Sequence, residues 1–206
     1  MTSASPLRNT RDARRSASAP HRVRIIGGRW KRTPLAVVDV VGLRPTPDRV
    51  RETLFSWIEH LVPDLSAARG VDLFAGTGAL GFELASRGAA RVTLIESNRQ
   101  LVDQLTRTKH KLAADQIDIV AGDALAVTAR WPDASFEVIF IDPPFDSGLL
   151  APALTAGARL VTQDGLIYVE SGTPVEESLL SRLRLRPERS GHAGRVHFHL
   201  LRPQSA

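Results

Sequence analysis

A doubly wound α/β sheet carrying a small N-terminal hairpin-and-helix appendage is the fold class this sequence predicts. From residue 70 onward, short apolar runs alternate with stretches of helical periodicity. That is the pattern of strands joined by crossover helices. The first run, Val71-Asp72-Leu73, enters a glycine-rich turn, Gly76-Thr77-Gly78-Ala79-Leu80-Gly81, that opens a helix. Acids then recur at successive strand ends: Asp72, Glu96, Asp123 and Asp142. At 206 residues, one domain with room for an appendage is expected.

The chain begins with a Ser/Ala/Arg-rich stretch that has no hydrophobic periodicity. Residues 1–20 therefore read as a disordered basic tail. A solvated leader, a transit-like segment and a nucleic-acid arm all fit that composition. Arg8, Arg11, Arg14, Arg15, Arg22, Arg24, Arg29, Lys31 and Arg32 crowd the first segment, with Asp12 the sole acid. The net charge of +5 points the same way, toward a polyanionic partner.

Order is expected from His21. Val23–Ile26 and Pro34–Val38 flank Gly27-Gly28-Arg29-Trp30-Lys31-Arg32, a hairpin with a basic, aromatic tip. Trp30 can stack on a base while Arg29 and Lys31 hold phosphates. It can also pack the hairpin onto the main domain. A helix follows, with Thr46 as N-cap, Pro47 in the first helical position and Asp48 facing the dipole. Val50, Leu54, Trp57, Ile58 and Leu61 form its apolar face, and Pro63 ends it. Arg44 and Arg49 flank its N-terminus, where they can hold a carboxylate or a phosphate. Arg51 and Glu52 read as a solvated face. Residues 21–62 thus form one unit and 63–206 the main domain.

Within the main domain, strands are expected at Arg91–Glu96, Ile117–Ala121, Phe136–Ile141 and Gly165–Glu170. Helices are expected at Asn98–Leu112, Leu149–Leu160 and Pro174–Leu183. A closing antiparallel pair is expected from Arg184–Arg186 and Arg195–Leu200. His197 and His199 share one strand face, but no third ligand accompanies them, so no metal site is expected. The chain has no cysteine, which excludes disulfides and thiolate metal sites. No stretch approaches a membrane span, and no apolar signal core is visible. Nothing demands more than a monomer.

The chemistry concentrates at Asp142-Pro143-Pro144-Phe145, after the apolar run Phe136–Ile141. Each proline lacks an N–H and fixes φ, leaving carbonyls in a stiff frame. A flat nitrogenous ring can stack on Phe145 while its amino group meets Asp142 and the Pro143 carbonyl. The loop can also be a plain strand stop. Gly76, Gly78 and Gly81 match a dinucleotide fingerprint, yet Asp72 just before them would oppose a pyrophosphate. A cationic ligand would tolerate that acid. Glu96 can accept both hydroxyls of a ribose, and Asp123 can accept from an adenine amine. The bland alternatives are a helix-cap partner for Asp72, a surface acid for Glu96 and an N-cap for Asp123.

This series of acids resembles the S-adenosylmethionine-dependent methyltransferases. Arg24-Ile25-Ile26-Gly27-Gly28, Gly42–Thr46, Asp48–Phe55, Phe74–Gly81, Asp142–Phe145 and Tyr168-Val169-Glu170-Ser171 together resemble the RsmD family, over about Val23 to Arg202. The resemblance implies transfer of a methyl group from S-adenosylmethionine to the N2 of a guanine in small-subunit ribosomal RNA. It implies catalytic roles for Asp142, Pro143, Pro144 and Phe145. It implies cofactor contacts from Thr46, Asp72, Phe74, Ala75, Gly76, Thr77, Gly78, Leu80, Glu96, Ser97, Asp123, Ala124 and Asp142. RNA would meet Arg22, Arg24, Arg29, Trp30, Lys31, Arg32, Arg44 and Arg49. The implied partner is 16S ribosomal RNA within a small-subunit assembly particle, and the implied location is the cytoplasm. Rival readings are an adenine-N6 nucleic-acid methyltransferase, a protein glutamine methyltransferase and a non-enzymatic RNA-binding module.

Overall fold

The computed structural model describes residues 23–37, 47–145 and 147–204. The basic tail 1–20, Arg22, Arg44 and Thr46 lie outside the described residues.

The first strands are short: β1 (Val23–Arg24) pairs antiparallel with β2 (Pro34–Leu35). Helix α1 spans Asp48–Leu61. Its helical spacing buries Val50, Leu54, Phe55 and Ile58 on one face. Asp48 sits in the first turn, as expected. Pro47, however, occupies the cap with an extended ψ of 144°, so the helix starts one residue later than the sequence suggests. Arg51 corrects a second expectation. It is fully buried rather than solvated, because it shares the inward face with Val50 and Leu54. Its guanidinium donates to the Arg24 carbonyl at 2.8 Å and to Asp48 at 2.6 Å.

The main sheet comprises β3 (Arg69–Asp72), β4 (Arg91–Glu96), β5 (Ile117–Ala121), β6 (Phe136–Ile141), β7 (Val161–Ser171), β8 (Leu185–Ala193) and β9 (Val196–Pro203). Their spatial order is β5-β4-β3-β6-β7-β9-β8. The first five are mutually parallel, while β9 runs antiparallel to both β7 and β8. Strand β7 begins at Val161, earlier than the apolar run alone suggests. Crossover helices are α2 (Ala79–Ser86), α3 (Arg99–Leu112), α4 (Ala124–Thr128), α5 (Leu150–Leu160) and α6 (Glu177–Arg182).

Alternation along the strands divides the core in two. Val138, Phe140, Leu166 and Tyr168 face the side covered by α1, α2, α3 and the hairpin. Ile139, Ile141, Ile167 and Val169 face the side covered by α4, α5 and α6. The hairpin belongs to the first of these layers, since Ile25 is fully buried and Leu35 nearly so.

The join between hairpin and sheet is polar as well as apolar. The Glu83 carboxylate on α2 accepts the backbone N–H groups of Ile26 and Gly27. Ser86 accepts from the Trp30 N–H at 2.9 Å and donates to the Gly27 carbonyl at 2.7 Å. Gly28 has a φ of +71°, and a Cβ there would fall 1.9 Å from the Ser86 carbonyl oxygen. Only glycine lets the two backbones approach so closely.

Candidate active site

Strands β3 and β6 are neighbours whose following helices, α2 and α5, lie on opposite faces of the sheet. Strand order reverses between them, which opens a crevice at their carboxyl ends, the usual ligand position in such sheets. Asp72 closes β3 and Asp142 follows β6 directly. Glu96 closes the flanking strand β4, and Glu170 is the penultimate residue of β7.

The glycine turn is shaped by backbone needs. Gly76 and Gly78 have φ of 53° and 78°, the left-handed region that glycine enters without cost. A Cβ on Gly78 would also meet Phe82 and Leu105 at 2.5 and 2.7 Å. The Glu96 carboxylate accepts the Gly76 N–H at 2.9 Å and the Asn98 N–H at 2.8 Å. It therefore ties the turn to the neighbouring strand and is more than a surface acid. Ala75, Thr77 and Leu80 are buried beneath the turn, and Phe74 is half-buried. Ser97 is exposed beside Glu96. Asp123 is exposed and caps α4 by accepting the Ala126 N–H at 2.9 Å, with Ala124 buried behind it.

Four carboxyl groups crowd the crevice: Asp72, Glu96, Asp142 and Glu170. Burial pushes Asp72 up to about 7; the Phe74 N–H opposes this and the charge of Glu96 adds to it. Asp142 is raised well above its ordinary value, first by burial and then by the charges of Glu170 and Asp72. The Tyr168 hydroxyl is raised too, by burial and by Glu170. It donates to the Glu170 carboxylate at 2.8 Å. Such a cluster favours a ligand bearing positive charge or several hydrogen-bond donors.

Beyond the Asp142 loop lies an open cleft of about 340 Å³ lined by Pro143, Pro144, Phe145, Glu170, Ser171 and Arg195, among others. The structure thus brings Asp142, Pro143, Pro144 and Phe145 to the junction of the acidic crevice and this cleft. Glu170, Tyr168 and Arg195 were absent from the sequence-predicted site. Glu170 carried the signal that marked the other acids, a carboxylate at the end of an apolar strand.

The hairpin residues separate into two groups. Arg29, Lys31 and Arg32 are exposed, as is Arg49 at the start of α1. Arg24 is exposed and ion-paired with Asp48 at 2.9 Å. Trp30 is only 8% exposed and sits in the apolar layer over α2. Its ring is held inside the protein and is not available to stack on a base. Among the described residues, no group of His, Cys, Asp or Glu side chains is arranged to hold a metal ion.

The sequence matches the family described as conserved hypothetical protein 95 over residues 23–202. It is 42% identical to ribosomal RNA small subunit methyltransferase D of Escherichia coli, over 75% of this chain and 77% of that protein. The protein of the same description from Haemophilus influenzae is 36% identical, over 75% of this chain and 81% of its own. The solved structure of yhhF from Escherichia coli superposes with a TM-score of 0.74 at 36% identity, covering 90% of this chain and 99% of that one.

Proposed function

The chain belongs to the conserved hypothetical protein 95 family, and we propose that it transfers a methyl group from S-adenosylmethionine to the exocyclic N2 of a guanine in small-subunit ribosomal RNA. The observation that carries this reading is the position of Asp142-Pro143-Pro144-Phe145, between the acidic crevice at the sheet switch point and the open cleft.

The crevice fits the cofactor by its chemistry. Glu96 is already oriented by two backbone N–H groups and would hold the ribose hydroxyls. Asp72, buried and reluctant to ionise alone, would face the cationic amino-acid end. Gly76 and Gly78 let the backbone come close with no side chain between. Ser97, Asp123 and Ala124 border the adenine end, where the capping duty of Asp123 fixes its carboxylate. When bound, S-adenosylmethionine supplies an electrophilic sulfonium methyl.

The protein's own part is positioning and charge. A guanine N2 lone pair is delocalised into the ring and is a poor nucleophile. Asp142 and the Pro143 carbonyl accept its two hydrogens and favour a more tetrahedral nitrogen. Phe145 stacks on the base and sets its plane. With the base so held, its N2 lone pair would be aimed at the methyl donor in the crevice, so the chain's contribution is positioning and electrostatics. The extra proton on N2 leaves through Asp142 or directly to water. A base must be unstacked to enter, so the target is a flipped or loop guanine. Arg29, Lys31, Arg32 and Arg49 hold phosphates at the exposed hairpin and helix start. The substrate is the assembling small subunit rather than free RNA.

The test is tritiated methyl transfer to small-subunit particles lacking the modification, run beside protein-free 16S RNA, with nucleoside analysis of the product. Label in N2-methylguanosine from particles is expected. Label in N6-methyladenosine or in protein would move the activity to a rival substrate, and equal labelling of free RNA would remove the particle requirement.

A further inference from the structure

Resting on that reading, we propose that Glu170 accepts the N1–H of the target base and is the residue that selects guanine over adenine. Glu170 is 3% exposed and lines the same cleft as Pro143 and Phe145. Two features fix its position. The Tyr168 hydroxyl donates to one carboxylate oxygen at 2.8 Å. Tyr168 is itself fully buried, edge-on to Phe140 with ring centroids 6.3 Å apart. The rotamer of the carboxylate is therefore anchored in the rigid layer over the sheet.

Strand register places it beside Asp142. Ile141 pairs with Val169 in the parallel β6–β7 ladder, so Asp142 and Glu170 follow as neighbours at the two strand ends. Guanine presents adjacent donors on its Watson–Crick edge, N2–H and N1–H. Two neighbouring carboxyl groups match that pair, Asp142 at N2 and Glu170 at N1. Adenine presents a lone pair at N1, which a carboxylate repels. A site built to bond a ring N–H rejects analogues without one far better than an apolar pocket rejects a wrong shape. Arg195 also lines the cleft and would supply the donor that the O6 of guanine needs.

The probe is 2-aminopurine, which keeps the reactive N2 amine but carries a lone pair at N1 and no O6. Wild-type full-length protein is assayed on small-subunit particles with 2-aminopurine in place of the mapped target guanine. A loss of roughly 100-fold in kcat/KM relative to guanine is expected, the scale of one charged hydrogen bond. Glu170→Gln turns a donor toward N1. It should lower guanine methylation and narrow the discrimination to about 10-fold or less. Equal wild-type rates on the two bases overturn the inference, as does a Gln variant that keeps full discrimination. Should that variant not fold, equal wild-type rates on the two bases still overturn the inference. Failure of wild type to make N2-methylguanosine at all is read first; it removes the premise and the inference together.

Discussion

Gly27 donates its backbone N–H to the Glu83 carboxylate at 2.7 Å, binding the N-terminal hairpin to a helix 56 residues further along the chain. Glu83 is fully buried and also holds Arg87 at 2.8 Å. One carboxylate thus satisfies two N–H groups of the hairpin loop and a guanidinium. Glu83→Ala is expected to cost about 3 kcal/mol, because it leaves buried N–H donors without their acceptor and strips Arg87 of one of its two carboxylate partners, Glu59 being the other. Glu83→Gln should cost about half as much. Urea unfolding measures both; a loss near zero for the alanine variant would show that the hairpin stands without this clamp.

Asp72 gives a pH signature of defined sign. The unfolded side chain releases its proton near 3.8, whereas the folded one holds it until about 7. Between those values the native state binds more protons, so stability of the unliganded protein falls as pH rises and then levels off. Asp142 is shifted in the same direction and steepens the trend. Asp72→Asn should flatten the fall while destroying cofactor affinity. Thermal midpoints recorded from about pH 5 to about pH 8 test the first claim, and S-adenosylhomocysteine titration the second. Stability that climbs through neutrality would contradict the assignment.

On the proposed mechanism, Asp142→Ala removes an acceptor from the reacting amine and leaves the exposed basic residues of the hairpin untouched. Methyl transfer should drop by about 100- to 1,000-fold, the range for losing one preorganised polar group. RNA affinity by filter binding should stay within error of wild type. A parallel loss of affinity would place Asp142 in docking rather than in chemistry.

Alanine at Arg29, Lys31 and Arg32 together should weaken RNA binding without altering cofactor affinity. These side chains are exposed, so the fold is expected to survive. If each meets a phosphate, the slope of log K against log salt should shrink by about 2. An unchanged slope would move the RNA path elsewhere on the surface.

Much of this site was legible along the chain. Val71–Leu73, the glycine turn and Phe136–Ile141 are local patterns, and the acids at their ends project where any parallel sheet projects them. Asp142–Phe145 is a contiguous loop whose rigidity is written in two prolines. What escaped depends on long-range packing. Arg51 was read as solvated because its burial is set by the Arg24 carbonyl, 27 residues earlier. Trp30 offered two fates, and Ser86 on α2 decided between them. Arg195 reaches the cleft only because the β8–β9 turn folds back beside β7, an antiparallel placement that no local periodicity encodes.

Strand β9 is made after β8 yet lies inside it, hydrogen-bonded to β7 on one side and β8 on the other. During synthesis, β7 therefore waits with an open edge while residues 172–195 emerge, and β8 has no sheet to join until its successor arrives. An unpaired edge invites pairing with other chains, and long-range strand insertion is slow. The same delay keeps the Arg195 side of the cleft unbuilt, so a growing chain leaves the ribosome's tunnel before its cleft is complete.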